Sequence, residues 1–112
     1  MSPDPAPKRG EVWLVSFDPS IAGEIQKTRP AVIVSNDTAN ALLNRAQVVP
    51  VSSQTERLYP AEAYVSLNQE RRKVMADQIA TVSKQRLLRL VGALESADMA
   101  SVDRIIRLQL AL

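Results

Sequence analysis

Residues 10–17, GEVWLVSF, decide how the rest of the chain is read. After Gly10, the run Glu11–Phe17 is rich in β-branched and aromatic residues, with apolar side chains at both odd and even positions. Successive side chains of an extended chain point to opposite faces. A run apolar on both faces is therefore a strand covered on both sides, as expected of a central strand. Asp18-Pro19-Ser20 breaks it, and a loop runs on to Thr28. Arg29-Pro30 then leads into a second apolar run, AVIVS (31–35), which the turn residues Asn36-Asp37 close.

Residues 38–45 fit either a short helical turn or an irregular loop. In AQVVPVSS (46–53), Pro50 has no N–H to give to a ladder, which predicts an edge strand or a bulge. AEAYVSL (61–67) alternates cleanly, with Ala61, Ala63, Val65 and Leu67 opposite Glu62, Tyr64 and Ser66. NQERRK (68–73) reads as a polar turn. VMADQIATV (74–82) reads as a strand interrupted by Asp77-Gln78. Ser83 caps an expected short helix, KQRLLRLVGAL. Ser96 caps a longer one whose apolar stripe is Met99, Val102, Ile105, Ile106 and Leu110. Five short strands followed by C-terminal helices predict a mainly β domain, a small twisted antiparallel barrel or half-barrel with a helical flank. Residues 1–8, with Pro3, Pro5 and Pro7, read as a disordered lead-in, and 9–112 as one domain.

Composition narrows the chemistry. The 112 residues include no cysteine and no histidine, which removes disulfides, thiolate catalysis, zinc–thiolate sites and imidazole bases. Chemistry falls to carboxylates, hydroxyls, arginines, lysines and tyrosines. The net charge of +2 permits nucleic-acid binding without arguing for it. No apolar run reaches the ~18 residues of a membrane helix, and MSPDPAPKRG lacks the apolar core of a signal peptide. A cytoplasmic location away from any membrane is expected. P-loop, GxGxxG, GxSxG and HExxH motifs are all missing, and the scattered aspartates make no two-metal constellation, so no cofactor and no metal are expected.

Three stretches offer sites. In GEIQKTRP (23–30), a loop glycine is followed by Glu24, and Arg29 stands directly before Pro30. A following proline holds Arg29 in extended geometry, and a guanidinium held in place matches the oxygens of a phosphate. The plainer reading is a surface ion pair. VVPVSSQ (48–54) ends in Ser52, Ser53 and Gln54, which are either ligands for phosphate and base edges or the polar end of a strand. Asp77 and Gln78 either face solvent at a bulge or line a groove where unpaired bases are read. The charges of NQERRK are either solvated or attract phosphate.

Taken in order, RGEVWLVSFDPS (9–20), GEIQKTRPAVIVSND (23–37), VVPVSSQ (48–54) and ADQIATVSKQRL (76–87) resemble the MazF/PemK/Kid toxin endoribonucleases. With the helical tail, the resemblance covers nearly the whole chain after residue 8. It implies an SH3-like barrel with a long C-terminal helix, assembled as a homodimer. It also implies metal-free, sequence-specific cleavage of single-stranded mRNA, with attack by the 2′-OH giving a 2′,3′-cyclic phosphate and a 5′-OH. By motif position Arg29 is the catalytic arginine, stabilising phosphoryl charge and offered as proton donor to the leaving oxygen. Ser52 is the catalytic hydroxyl, and Glu24 the loop glutamate and nominated general base. Lys27, Thr28, Ser53, Gln54, Asp77 and Gln78 are the implied RNA contacts. A cognate MazE-like antitoxin is the implied partner. The chain departs from the family pattern in carrying serine rather than threonine at 52, and in lacking a glycine just before the arginine. The alternative weighed against it is a non-enzymatic toxin binding DNA gyrase, like CcdB, which shares the barrel but needs no Arg29–Ser52 pair.

Overall fold

The computed structural model describes residues 5–19, 23, 24 and 27–112. Seven strands appear among them: β1 (Glu11–Ser16), β2 (Thr28–Ile33), β3 (Arg45–Ser52), β4 (Glu62–Leu67), β5 (Glu70–Met75), β6 (Ala80–Ser83) and β7 (Leu87–Ala93). Two helices accompany them, α1 (Asp37–Leu42) and α2 (Ser96–Leu110). The strands lie in the order β4-β5-β3-β2-β1-β7, with β6 paired to β3 off that path. Every pairing is antiparallel. The mainly β expectation holds.

β1 is central, between β2 and β7. Its two-sided apolar pattern does what that position requires. Val12 joins the main core with Val32, Val49, Val51, Val65, Val74, Val102 and Ile105. Val15 joins a smaller cluster with Phe17, Ala31, Ile33, Val48 and Val82 on the other side. Helix α2 closes the main core with the fully buried Val102 and Ile105. Met99 and Ile106 are only partly buried, and Leu110 is exposed, so the apolar stripe is shorter than its spacing suggests. The helix is also preceded by Glu95 as its cap residue, with Ser96 already helical.

Asp98, in its first turn, accepts a hydrogen bond from the backbone N–H of Ser66 on the edge strand β4 at 2.9 Å. That bond satisfies a donor which would otherwise invite another strand. At the far edge, the Asn68 side-chain amide donates to the Val91 carbonyl of β7 at 3.4 Å, drawing the two ends of the sheet together. A Cβ on Gly92 would stand 3.0 Å from Asn68 Oδ1, so a side chain there would press on the Asn68 amide.

Four expectations are corrected. Residues 84–94 form no helix: a single 3₁₀ turn, Lys84–Arg86, runs into β7. Leu87, Leu88 and Val91 stand at a spacing that one face of a helix would also show, but here they belong to an outermost strand on which Leu88 and Leu90 are exposed. The 68–73 segment is mostly strand, with only Asn68 and Gln69 in the turn, both at positive φ of 51° and 67°. Residues 74–82 are two strands separated by a 3₁₀ turn, Ala76–Gln78. Finally, β3 is interior rather than an edge. It pairs with β6 through Val48 and with β5 from Val51. Pro50 falls where the partner changes and no ladder bond is demanded of it. The ambiguous 38–45 stretch opens as α1, with Asn36 accepting from the Ala39 N–H at 2.8 Å.

Candidate functional site

The site grows from the register of the sheet. β2 runs against β3 with Ala31 facing Pro50. The ladder ends there, but carried two residues further its register sets Arg29 level with Ser52. Ser52 faces Lys73 on β5, and Lys73 faces Tyr64 on β4. Alternation places Arg29 on the side of Ala31 and Ile33, and Ser52 on the side of Val48 and Pro50, so both share the smaller cluster's face. Arg29, Ser52, Lys73 and Tyr64 thus make one polar row across four strands. At about 4.8 Å per strand, Arg29 and Lys73 stand roughly 10 Å apart.

Arg29 is half-buried on β2, opposite Val15 of β1. The loop leading to it is pinned at its two ends: the Phe17 N–H donates to the Lys27 carbonyl at 2.8 Å, and the Lys27 N–H donates to Asp18 Oδ1 at 2.8 Å. Lys27 sits at φ 63°, a left-handed conformation that turns the chain sharply before it enters β2. Lys27 and Thr28 are exposed beside Arg29. Ser52 is buried at the end of β3. Its Oγ accepts from the Gln54 N–H at 3.1 Å, which leaves its own proton to donate to an incoming oxygen.

The remaining candidates fall into two cavities beside this row. One is lined by Glu24, Asp77 and Gln78 with Phe17 and Arg86, so the loop glutamate and the 3₁₀ turn stand together although 53 positions separate Glu24 from Asp77 in sequence. Gln78 Nε2 donates to the Gly23 carbonyl at 3.3 Å, joining turn and loop. Arg86 Nη1 donates to the carbonyls of Ser16 (3.0 Å) and Asp18. The other cavity is lined by Ser53, Gln54, Thr55, Arg57, Tyr59 and Lys73. Among the described residues no three acidic side chains gather as metal ligands would.

Sequence reading missed Lys73, Tyr59 and Arg86. Lys73 is buried and paired with Glu62 at 2.9 Å. The signal for it was the two-residue spacing Asn68-Gln69 between AEAYVSL and ERRKVM, which makes a hairpin and turns Lys73 toward Tyr64. The turn carries no glycine, so the usual hairpin mark was missing.

The family described as PemK-like, MazF-like toxin of type II toxin–antitoxin systems matches residues 8–110. The chain belongs to this family. It is 39% identical to Endoribonuclease MazF9 of Mycobacterium tuberculosis, over 94% of this chain and 97% of that protein. It is 27% identical to Endoribonuclease EndoA of Bacillus subtilis, over 94% of this chain and 95% of that one. A mycobacterial endoribonuclease solved in complex with its cognate antitoxin superposes with a TM-score of 0.81 at 25% identity, over 96% of this chain and 97% of the other. MazF of Deinococcus radiodurans superposes at 0.86 over 97% and 100% of the two chains, a likeness of fold at 22% identity. The MazF-like family thus spans the sheet, the Arg29–Ser52 row and both cavities.

Proposed function

We propose that this MazF-like toxin is a metal-independent endoribonuclease that cuts single-stranded mRNA at short unpaired motifs, residues 9–112 acting as one domain. The observation that supports the reading is the register of β2 on β3, Ala31 facing Pro50, which carried two residues further brings Arg29 level with Ser52 on one face of the sheet. A phosphodiester laid on this row meets a planar cation from one strand and a hydroxyl donor from the next. The ribose 2′-oxygen attacks phosphorus and its proton passes to a carboxylate, for which Glu24, five residues ahead of Arg29, is the nominee. The P–O5′ bond breaks, and the departing oxygen takes up a proton to become the 5′-OH. The 3′ side is left as a 2′,3′-cyclic phosphate. The Arg29 guanidinium neutralises charge gathering on the phosphoryl oxygens, and Ser52 holds one of them.

Lys27, Thr28, Ser53, Gln54, Asp77 and Gln78 contact the RNA on either side. The protein works as a homodimer in the cytoplasm, and a cognate MazE-like antitoxin neutralises it by covering the RNA site. The names carried by the matched relatives support the nuclease reading, and the gyrase-binding alternative is set aside on that ground.

Purified protein incubated with a long unstructured RNA in EDTA is expected to yield discrete cuts with cyclic-phosphate ends. Arg29→Ala is expected to lower kcat by about 10²–10³-fold while the thermal midpoint stays close to that of the parent. Intact RNA in the presence of folded parent protein would refute the reading.

A further inference from the structure

The loop between β3 and β4 leaves the sheet directly after Ser52 and returns at Glu62, and along its length it is held by side chains of the sheet. Lys73 Nζ donates to the Arg57 carbonyl at 3.0 Å and to Glu62 Oε1 at 2.9 Å. The same Glu62 oxygen accepts from the Tyr59 N–H at 2.9 Å. Tyr64 donates its hydroxyl to the Thr55 carbonyl at 2.8 Å. The buried ion pair is the hub, because loop backbone at 57 and 59 is bonded to one or other member. A buried charge pair becomes tolerable only when its remaining hydrogen-bonding capacity is satisfied, and here loop backbone groups supply those bonds.

The loop so held encloses a cavity of about 560 Å³ above Lys73, a size typical of small-ligand sites. One aromatic ring rises from its wall: Tyr59, 55% exposed, with the Lys73 ammonium 5.4 Å from its centroid. Exposing a tyrosine ring of that size while fixing its backbone has a use where a flat ligand is to be stacked. Gln54, exposed on the same wall, offers both a donor and an acceptor for a base edge.

We propose that this cavity is a nucleobase subsite, in which Tyr59 stacks the base of the nucleotide lying on the Ser52 side of the cleaved bond and Gln54 reads its edge. The inference rests on the endoribonuclease reading and deepens it. The Lys73–Glu62 pair is a positioning device: Lys73 forms part of the cavity lining, and together with Glu62 it sets the loop that carries Tyr59 and Gln54. The subsite takes an unpaired base, since a paired one has no open face for the ring.

The test uses full-length protein, a randomised single-stranded RNA pool for cut-site mapping, and a short oligonucleotide for kinetics. Tyr59→Leu is expected to broaden the mapped motif at one position beside the cut and to raise KM about 5- to 100-fold, with kcat changed far less. Tyr59→Phe, which keeps the ring and drops the hydroxyl, is expected to recover most of both. The exposed side chain makes unfolding of either variant avoidable. A Tyr59→Leu protein with the parent's motif and KM overturns the subsite, as does an equal loss in Tyr59→Leu and Tyr59→Phe. Parent protein that cuts no RNA overturns the endoribonuclease reading itself, and that outcome is distinct from the others.

Discussion

Lys73 shows how much one side chain carries in this fold. With its side chain and that of Glu62 each 8% exposed, removing either alone strands a buried charge. Lys73→Met is expected to cost about 3–5 kcal/mol in chemical denaturation. The double variant Lys73→Met/Glu62→Leu is expected to recover most of that, since an apolar pair of similar volume has no charge to solvate. A double variant no more stable than the single one would mean that the loop bonds, rather than the stranded charge, dominate. Hydrogen exchange separates the two further: the Tyr59 N–H loses its acceptor in the double variant and should exchange faster whatever the global stability. The contrast with Arg29 is instructive. Arg29 was legible because a proline follows it and a loop carrying a carboxylate precedes it, both local features. Lys73 was hidden inside ERRK, where neighbouring charges imitate a solvated turn, and only its pairing with Tyr64 and Glu62 marks it as interior.

Among the elements, strands bounded by strong breakers were legible and those set by pairing were not. β1 and β2 were recognisable because apolar runs end at Asp18-Pro19 and Asn36-Asp37. The local sequence of β7 reads as a helix because nothing local shows that its outward leucines belong to an outermost strand. β3's interior position was equally invisible, since the change of partner that accommodates Pro50 belongs to the whole sheet. Gly10, at φ +93°, opens β1 and accepts the Leu94 N–H at 2.9 Å as the chain leaves β7. Gly10→Ala places a side chain in a conformation that L residues rarely adopt, with Met99 Cγ 3.5 Å away. It is expected to cost about 1–3 kcal/mol, measured as a lower urea midpoint with an unchanged slope. On α2, Ile105→Ala empties a fully buried position and is expected to cost about 2–5 kcal/mol.

For the molecule as a whole, the net charge of +2 is small, so attraction to RNA comes from where the cations sit rather than from their sum. Arg29 and Lys27 lie at one end of the polar row, and Arg71 stands 3.6 Å over the Tyr64 ring at the other. Binding of a non-cleavable single-stranded oligonucleotide should therefore weaken with salt, each neutralised phosphate adding about 0.7 to the slope of log K against log salt. Lys27→Ala is expected to lower that slope by about one such increment and to leave the cut motif alone. An unchanged slope would remove Lys27 from the phosphate contacts.

The 53–61 segment starts on β3 and finishes on β4, the two strands that flank β5, and most of its anchorage is to side chains standing on the β4–β5 hairpin. Under the proposed base subsite, the Arg29–Ser52 row and the Tyr59 ring stand on separate pieces of polypeptide, one woven into the sheet and one strapped onto it. Such a strap is exchangeable. A segment of equal span that keeps backbone partners for Lys73 and Glu62 can be grafted between residues 52 and 62, retargeting the nuclease to another message while its cutting edge stays as it is.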